Sequence, residues 1–199
     1  MFANLISYYR EMDQFFFKKI NQDWSFPLGN VFFPLITDFQ KLPVFLYVLL
    51  PLTILLILYF QRMKGLKFLL VLALALTVSD TIAFRVIKQI VHRPRPAHTG
   101  MVVALRVEDS GGPSFPSNHA TNMFAAAGIV SFVFPPYAAL AFFYAACVAY
   151  SRVYVGVHYP SDVLAGAILG TLISFLVWRL TRNFFIQKQK KYAFRKKYL

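Results

Sequence analysis

Long runs of apolar residues dominate the chain, and they lack the spacing of an amphipathic helix. A bilayer core about 30 Å thick needs roughly 20 such residues in one helical span. One run covers residues 42–60, and a second, after a short basic turn, ends near residue 91. Three further runs cover residues 119–135, 137–155 and 162–185. The pattern predicts an all-α polytopic membrane bundle of five to six transmembrane helices.

The first 40 residues have a different pattern, in which aromatic clusters such as 15–17 stand beside lysines. This pattern is typical of helices that lie in the membrane interface, so we expect interfacial helices over residues 1–40, with one short extra span as an alternative. No basic region followed by an apolar core and a small-residue cleavage site opens the chain, which predicts insertion without a cleaved signal peptide. Because no repeat or linker interrupts the sequence, residues 1–199 are expected to form a single domain whose bundle covers 42–185.

Composition supports a membrane protein and limits the other classes. Of the 199 residues 58% are hydrophobic, and the mean hydropathy is +0.54. The single cysteine, Cys147, excludes an intramolecular disulfide and a metal-thiolate cluster. A formal charge of +13 could indicate nucleic-acid binding, but the basic residues stand mainly between apolar runs. We therefore expect the bilayer as a partner and no nucleic acid, and nothing in the sequence indicates an obligate protein partner.

The distribution of charge predicts how the bundle is oriented. With the spans laid antiparallel, the long polar loop 92–118 lies on one face, and every Asp and Glu lies on that side or in that half of a span. The opposite face receives the basic turn 62–67 and the basic tail 186–199. By the positive-inside rule the basic face is cytoplasmic, so the tail is cytoplasmic and the loop faces the periplasm or exterior.

Three polar clusters meet on the loop face, each at the end of a span. They carry three cations and two histidines within mostly apolar surroundings. Fixed cations and the amide groups at a helix N-terminus are what a phosphoryl group requires. We therefore predict a phosphate site built from Lys88, Arg95, Ser117, Asn118, His119, Arg152, His158 and Asp162.

The two histidines fit a nucleophile and an acid. Asp162 follows His158 by four residues, so its carboxylate can hold one ring N–H and leave the other nitrogen free to attack. His119 would protonate the leaving oxygen and then activate water. No set of side chains with metal-ligand spacing faces this site, so we predict neither a metal nor another cofactor.

Ten identities with defined spacing resemble the three-part signature of the type 2 phosphatidic acid phosphatase family. They are Lys-x6-Arg-Pro (Lys88, Arg95, Pro96), Pro-Ser-x-His (Pro116, Ser117, His119) and Ser-Arg-x5-His-x3-Asp (Ser151, Arg152, His158, Asp162). One departure is Asn118, where many members have glycine. The resemblance implies a lipid phosphatase with His158 as nucleophile, Asp162 as its partner and His119 as acid and base. Lys88, Arg95, Ser117, Asn118 and Arg152 are then the phosphate ligands.

The family implies several lipid substrates, and composition does not choose among them: undecaprenyl diphosphate, phosphatidylglycerophosphate, phosphatidic acid and lipid A 1-phosphate. The small size resembles bacterial members, which predicts an inner-membrane location. Two alternatives stay open, namely a non-catalytic protein that binds or transports anionic lipid and a phosphatase of soluble esters. For Asp80 and Arg85 we expect a structural ion pair or polar contact, whereas three residues at the start of the loop could touch the head group or only be solvated: His92, Arg93 and His98.

Overall fold

The computed structural model describes residues 2–185, with side chains from residue 7 onward. Within that range the chain is helical, with no strand, so the all-α prediction is confirmed. The described range contains seven α-helices: α1 Phe2–Lys18, α2 Gly29–Asp38, α3 Leu50–Asp80, α4 Lys88–Val91, α5 Asn118–Val133, α6 Ala138–Tyr154 and α7 Pro160–Thr181. Short 3₁₀ and π segments stand between several of them, whereas a long loop joins α4 to α5 and a turn joins α6 to α7. The predicted basic cytoplasmic tail, 186–199, lies outside the described residues.

The first two predicted spans form a single helical stretch with a break in the middle. Arg62 has φ 48° and ψ −124° inside α3, which interrupts the helix within the predicted turn. Among the described residues, two stretches have the length and composition of membrane spans: Phe45–His98, with 54 residues, and Pro160–Thr181, with 22 residues. An 18-residue window has a mean hydropathy of 1.9 in the former and 2.0 in the latter. The former is long enough for two crossings of a bilayer.

The N-terminal helices are poor candidates for a further span. α1 carries Arg10, Glu11 and Asp13 in its middle turns, and α2 has only ten residues. Since a crossing needs roughly 20 apolar residues, the alternative of an extra N-terminal span is not supported. α5 and α6, with 16 and 17 residues, are somewhat shorter than a full crossing.

The core lies where α5 meets α3 and α7. α7 approaches α5 closely at Gly170, where a Cβ atom would lie 2.1 Å from the carbonyl oxygen of Thr121. Small residues at such crossings let two backbones pack without an intervening side chain. The opposite face of α7 presents a stripe of exposed aliphatic side chains of the kind that faces lipid: Leu164, Ile168, Leu172, Leu176 and Leu180.

The N-terminal segment fastens the long loop to the bundle. The side-chain amide of buried Asn21 donates to the carbonyl oxygens of Ala104 at 3.0 Å and Tyr154 at 2.8 Å, and it accepts from the N–H of Ala104 at 2.9 Å. These bonds join the π-helical turn after α1, the loop and the end of α6. The loop is thereby held across the ends of α4, α5 and α6, where the predicted site residues lie.

Candidate active site

One cavity of about 230 Å³ collects most of the side chains predicted for the site. It lies among the beginning of α4, the beginning of α5, the end of α6 and the turn before α7. Two predicted residues, Ser117 and Asp162, lie behind this lining. The predicted residues that line the cavity are Lys88, Arg95, Asn118, His119, Arg152 and His158.

The three cations are buried, with Lys88 4%, Arg95 5% and Arg152 5% exposed. Two of them are held by the loop 109–114. The ammonium group of Lys88 donates to the carbonyl oxygen of Pro113 at 2.5 Å, and Arg95 pairs with Asp109 at 3.2 Å. The residues that line the cavity include these three cations and no carboxylate, so the cavity is suited to an anion.

Arg152 has an unused donor. Its Nη1 donates to the hydroxyl of Thr37 at 2.7 Å, whereas its buried Nε has no hydrogen-bond partner among the described residues. An orphaned buried guanidinium N–H is costly unless a ligand accepts from it. A phosphate oxygen in the cavity is a suitable acceptor because guanidinium donors match phosphate geometry.

A tight turn places His158 at the edge of the cavity. Gly156, with φ 94°, reverses the chain after α6, and the N–H of His158 then donates to the carbonyl oxygen of Arg152 at 3.3 Å. The His158 ring is buried, and its Nδ1 lies 3.4 Å from Oδ2 of Asp162. Burial lowers the pKa of His158 to about 4, an effect that Asp162 only partly opposes and that Arg152 and Arg95 reinforce. The neutral imidazole therefore has Nε2 free at physiological pH.

Asp162 is held from three directions in the first turn of α7. Its Oδ2 accepts from the backbone N–H of Tyr159 at 2.9 Å as well as facing His158. Its Oδ1 accepts from Nη1 of Arg93 at 2.8 Å, and Nη2 of Arg93 bonds Asp13 of α1 at 2.5 Å. The sequence left two roles open for Arg93, contact with the lipid head group or solvation in the loop. In the structure it links the carboxylate partner of His158 to the N-terminal helix.

The beginning of α5 differs in one respect from the predicted phosphate cradle. The backbone N–H of Ser117 donates to the carbonyl oxygen of Asp162 at 3.0 Å, and its hydroxyl caps the helix by accepting from Ala120 N at 3.5 Å. The expectation that the Ser117 amide points at phosphate is therefore wrong. Asn118 and His119 still present N–H groups that no intrahelical carbonyl can accept.

His119 contacts a residue that sequence reasoning missed. Its Nε2 lies 2.9 Å from the side-chain nitrogen of Gln40. Gln40 belongs to the 3₁₀ turn Phe39–Lys41, directly after α2. No motif marks this glutamine, since the contact joins residues 79 positions apart in the chain.

Asp80 and Arg85 do not form the ion pair offered as one expectation, since both side chains are exposed in the described structure and no salt bridge joins them. Instead Asp80 makes the alternative polar contact, accepting from the Asn118 side chain at 3.3 Å. Asp80 therefore positions an amide that lines the cavity. Arg85 lies outside it.

Fold and site together define a class of protein: an all-helical membrane protein with a buried, cationic anion site beside a histidine–aspartate pair. The family model described as the PAP2 superfamily matches residues 64–186, and the chain belongs to this family. The match begins after the break at Arg62 and includes every predicted site residue. The predicted family membership is thus confirmed.

The chain is also similar to curated phosphatases and to solved structures. The chain is 34% identical to an undecaprenyl-diphosphatase of Sulfolobus acidocaldarius over 131 residues, 65% of this chain and 62% of the relative. It is 31% identical to a lipid A 4'-phosphatase of Bacteroides thetaiotaomicron over 133 residues, 61% of this chain and 59% of the relative. A transmembrane PAP2 type phosphatidylglycerolphosphate phosphatase from Bacillus subtilis superimposes with a TM-score of 0.64 at 28% identity, covering 87% of this chain and 86% of that one.

The two curated relatives are longer than their matched parts, since the chain spans about three fifths of the length of each. Their names also describe different phosphorylated lipids. The likeness therefore establishes the family and the membrane-embedded helical fold.

Proposed function

We propose that this protein is a lipid phosphatase that cleaves a lipid phosphate or diphosphate through a phosphohistidine on His158, without a metal ion. The observation that carries the proposal is the buried Nε of Arg152, which lacks an acceptor beside a cavity shared with Lys88, Arg95 and His158. A phosphate group would accept from this donor and balance the buried positive charge. The cations then supply the charge stabilisation that phosphoryl transfer requires.

The first chemical step forms a phosphorus–nitrogen bond. Nε2 of His158 attacks phosphorus while the bond to the lipid oxygen breaks, and His119 gives a proton to that oxygen as it leaves. Asp162 stabilises the ring, which becomes positively charged when both nitrogens are substituted. Lys88, Arg95, Arg152 and the amide of Asn118 neutralise the charge on the equatorial oxygens.

The second step restores the enzyme. His119, now unprotonated, takes a proton from water as the water oxygen attacks phosphorus, and the bond to Nε2 of His158 breaks. Inorganic phosphate and neutral His158 result, and the proton taken by His119 is available for the next cycle. Ser117 holds the start of α5, which carries His119, against α7 through its bond to Asp162.

Substrates and orientation follow from the same site. The names of the relatives support a panel of undecaprenyl diphosphate, phosphatidylglycerophosphate and lipid A phosphates, to which phosphatidic acid is added. The basic turn at residues 62–67 supports a cytoplasmic location for the opposite end of the bundle. We propose that the site faces the periplasm or exterior of a bacterial inner membrane, within reach of a lipid head group.

The test is phosphate release from that panel in detergent with excess EDTA, for the native protein and His158→Ala. We expect native turnover that survives the chelator and no turnover by the variant. In His119→Ala, 4-nitrophenyl phosphate should still phosphorylate His158, because its leaving group needs no proton, and the acid-labile phosphoenzyme should accumulate. Loss of activity with EDTA, or activity in His158→Ala, would contradict the mechanism. Binding of anionic lipid without turnover would favour a non-catalytic binding or transport protein. Faster cleavage of soluble esters than of lipids would favour a phosphatase of soluble phosphate esters.

A further inference from the structure

Another cavity lies between α1 and the bundle, apart from the catalytic cavity. It is an open groove of about 640 Å³, bounded by α1, the end of α4 and the first two turns of α7. Among the described residues, none lines both cavities. Arg93 lines the groove, and the Asp162 carboxylate that it bonds stands between it and His158 of the catalytic cavity. The groove is therefore a separate site.

The walls of the groove are mainly apolar and continue the lipid-facing surface of α7. Leu164, which is 64% exposed, belongs both to the groove and to the stripe of exposed aliphatic residues on α7. Tyr9 and Phe16 of α1 line the groove and are also exposed. The other apolar walls are Met12, Val91, Pro94, Phe115 and Pro160. Exposed apolar surface that continues the lipid-facing side of a span is suited to an acyl chain.

The groove also carries a cation without a partner. Arg10 of α1 lines it and is exposed, and its side chain makes no hydrogen bond or ion pair with another described residue. His92, directly after α4, is likewise exposed, and its ring has no partner within residues 7–185. Asp13 is the one carboxylate among the described lining residues, and it already bonds Arg93. The groove therefore offers uncompensated positive charge beside apolar walls.

We propose that this groove binds an anionic phospholipid of the surrounding bilayer, as a site distinct from the catalytic one. An acyl chain lies against Phe16 and Leu164, while Arg10 and His92 hold the phosphate of the head group. A soluble phosphate ester would leave the apolar walls in contact with water, and a neutral lipid would leave Arg10 without a counter-ion. The two features together select a lipid that carries a negative charge.

Photo-cross-linking tests the location and the head-group preference. The full chain is placed in phosphatidylcholine nanodiscs that contain a trace of phosphatidylglycerol with a diazirine in one acyl chain, and mass spectrometry locates the label. The reference is phosphatidylcholine with the same diazirine chain. We expect phosphatidylglycerol to label the groove about fivefold more than the reference, as one cation near a membrane surface would give. Both lipids should label Leu172, further along the lipid-facing stripe, equally.

Two pairs of matched variants assign the contacts. Arg10→Gln removes the cation of the groove, whereas Lys18→Gln removes an exposed cation of the same helix outside it. Leu164→Ala shortens an apolar wall, whereas Ile168→Ala changes a residue of equal exposure one turn further on. Labelling is scored on the wall that is not mutated.

The expected results differ between the head group and the chain. Arg10→Gln should lower the ratio of phosphatidylglycerol to phosphatidylcholine labelling about fivefold, to near one. Leu164→Ala should lower the labelling of the groove by both lipids and leave their ratio unchanged. Lys18→Gln and Ile168→Ala should behave as the native protein does.

Three results would overturn the inference. Equal labelling of the native groove by both lipids would mean that it contacts bulk bilayer only. An equal loss in Arg10→Gln and Lys18→Gln would indicate a general attraction of anionic lipid to a basic surface. Displacement of the label by soluble glycerol 3-phosphate would assign the groove to free phosphate esters. Since labelling requires no turnover, each result is independent of the proposed phosphatase activity.

Discussion

Nη1 of Arg93 donates to Oδ1 of Asp162 at 2.8 Å, while the other oxygen of the same carboxylate faces Nδ1 of His158. The guanidinium also bonds Asp13 at 2.5 Å and lies 4.0 Å from the centre of the Tyr159 ring. Asp162 itself is fully buried. The geometry of the proposed nucleophile therefore depends on a residue that never reaches the cavity.

Arg93→Ala should destabilise the protein and impair catalysis together. Removing one partner of a buried pair leaves an uncompensated charge, which costs about 3 kcal/mol of unfolding free energy. Thermal unfolding in detergent would measure that loss. Arg93→Lys retains the charge but not the two-sided fork, so we expect a smaller loss of stability and a fall in kcat with little change in KM.

Asp13→Asn is the matched control for Arg93. It weakens the bond between Arg93 and α1 while leaving the bond between Arg93 and Asp162 in place. We expect a loss of thermal stability smaller than that of Arg93→Ala and a kcat above that of Arg93→Lys. If kcat in Asp13→Asn were as low as in Arg93→Ala, the contact with α1, and not the bond to Asp162, would determine the position of His158.

The sequence predicted the parts of this protein that are encoded locally. Apolar runs located the helices, and the basic turn at 62–67 located the break at Arg62. The spacing of His158 and Asp162 predicted their contact because four residues bring a side chain back to the same side of the turn into α7.

What the sequence could not supply are contacts between distant segments. Asp13 reaches Arg93 across 80 positions and Gln40 reaches His119 across 79. The aromatic N-terminal residues resemble any interfacial helix, so their pattern gives no register against α5 or α7. The hydrogen bond from the Ser117 N–H to the carbonyl oxygen of Asp162 likewise depends on how closely α5 and α7 pack, and no local motif predicts that distance.

The lowered pKa of His158 predicts how stability depends on pH. The unfolded chain binds a proton at this histidine below about pH 6.5, whereas the folded ring stays neutral until about pH 4. The stabilising contribution is therefore fully present above pH 6.5 and is lost as the pH falls toward 4. We expect the melting temperature of the native protein to fall more between pH 7 and 5 than that of His158→Asn. Parallel pH profiles for the two proteins would contradict a neutral, buried His158.

Gly170→Ala should disrupt the crossing of α5 and α7. The new methyl group would lie 2.1 Å from the carbonyl oxygen of Thr121, so the helices must separate. Overpacking of this kind costs about 1–3 kcal/mol, which thermal unfolding in detergent would detect. Ile168→Ala changes the same helix on its lipid-facing side, where the side chain is 63% exposed, and should have little effect. Because alanine favours the helix over both glycine and isoleucine, equal destabilisation by both variants would contradict the close crossing at Gly170 as the source of the loss.

Asp109→Asn should tighten the binding of inorganic phosphate. Asp109 pairs with Arg95 at 3.2 Å and places a negative charge beside the cation that would hold the product. Removing that charge frees Arg95 and removes a repulsion on the order of 1 kcal/mol, so the inhibition constant for phosphate should fall about fivefold. Competitive inhibition of 4-nitrophenyl phosphate cleavage would measure it. Glu108→Gln, which neutralises the neighbouring carboxylate, is the control. If Asp109→Asn instead bound phosphate more weakly, the main role of Asp109 would be to hold Arg95 in the orientation that binds phosphate.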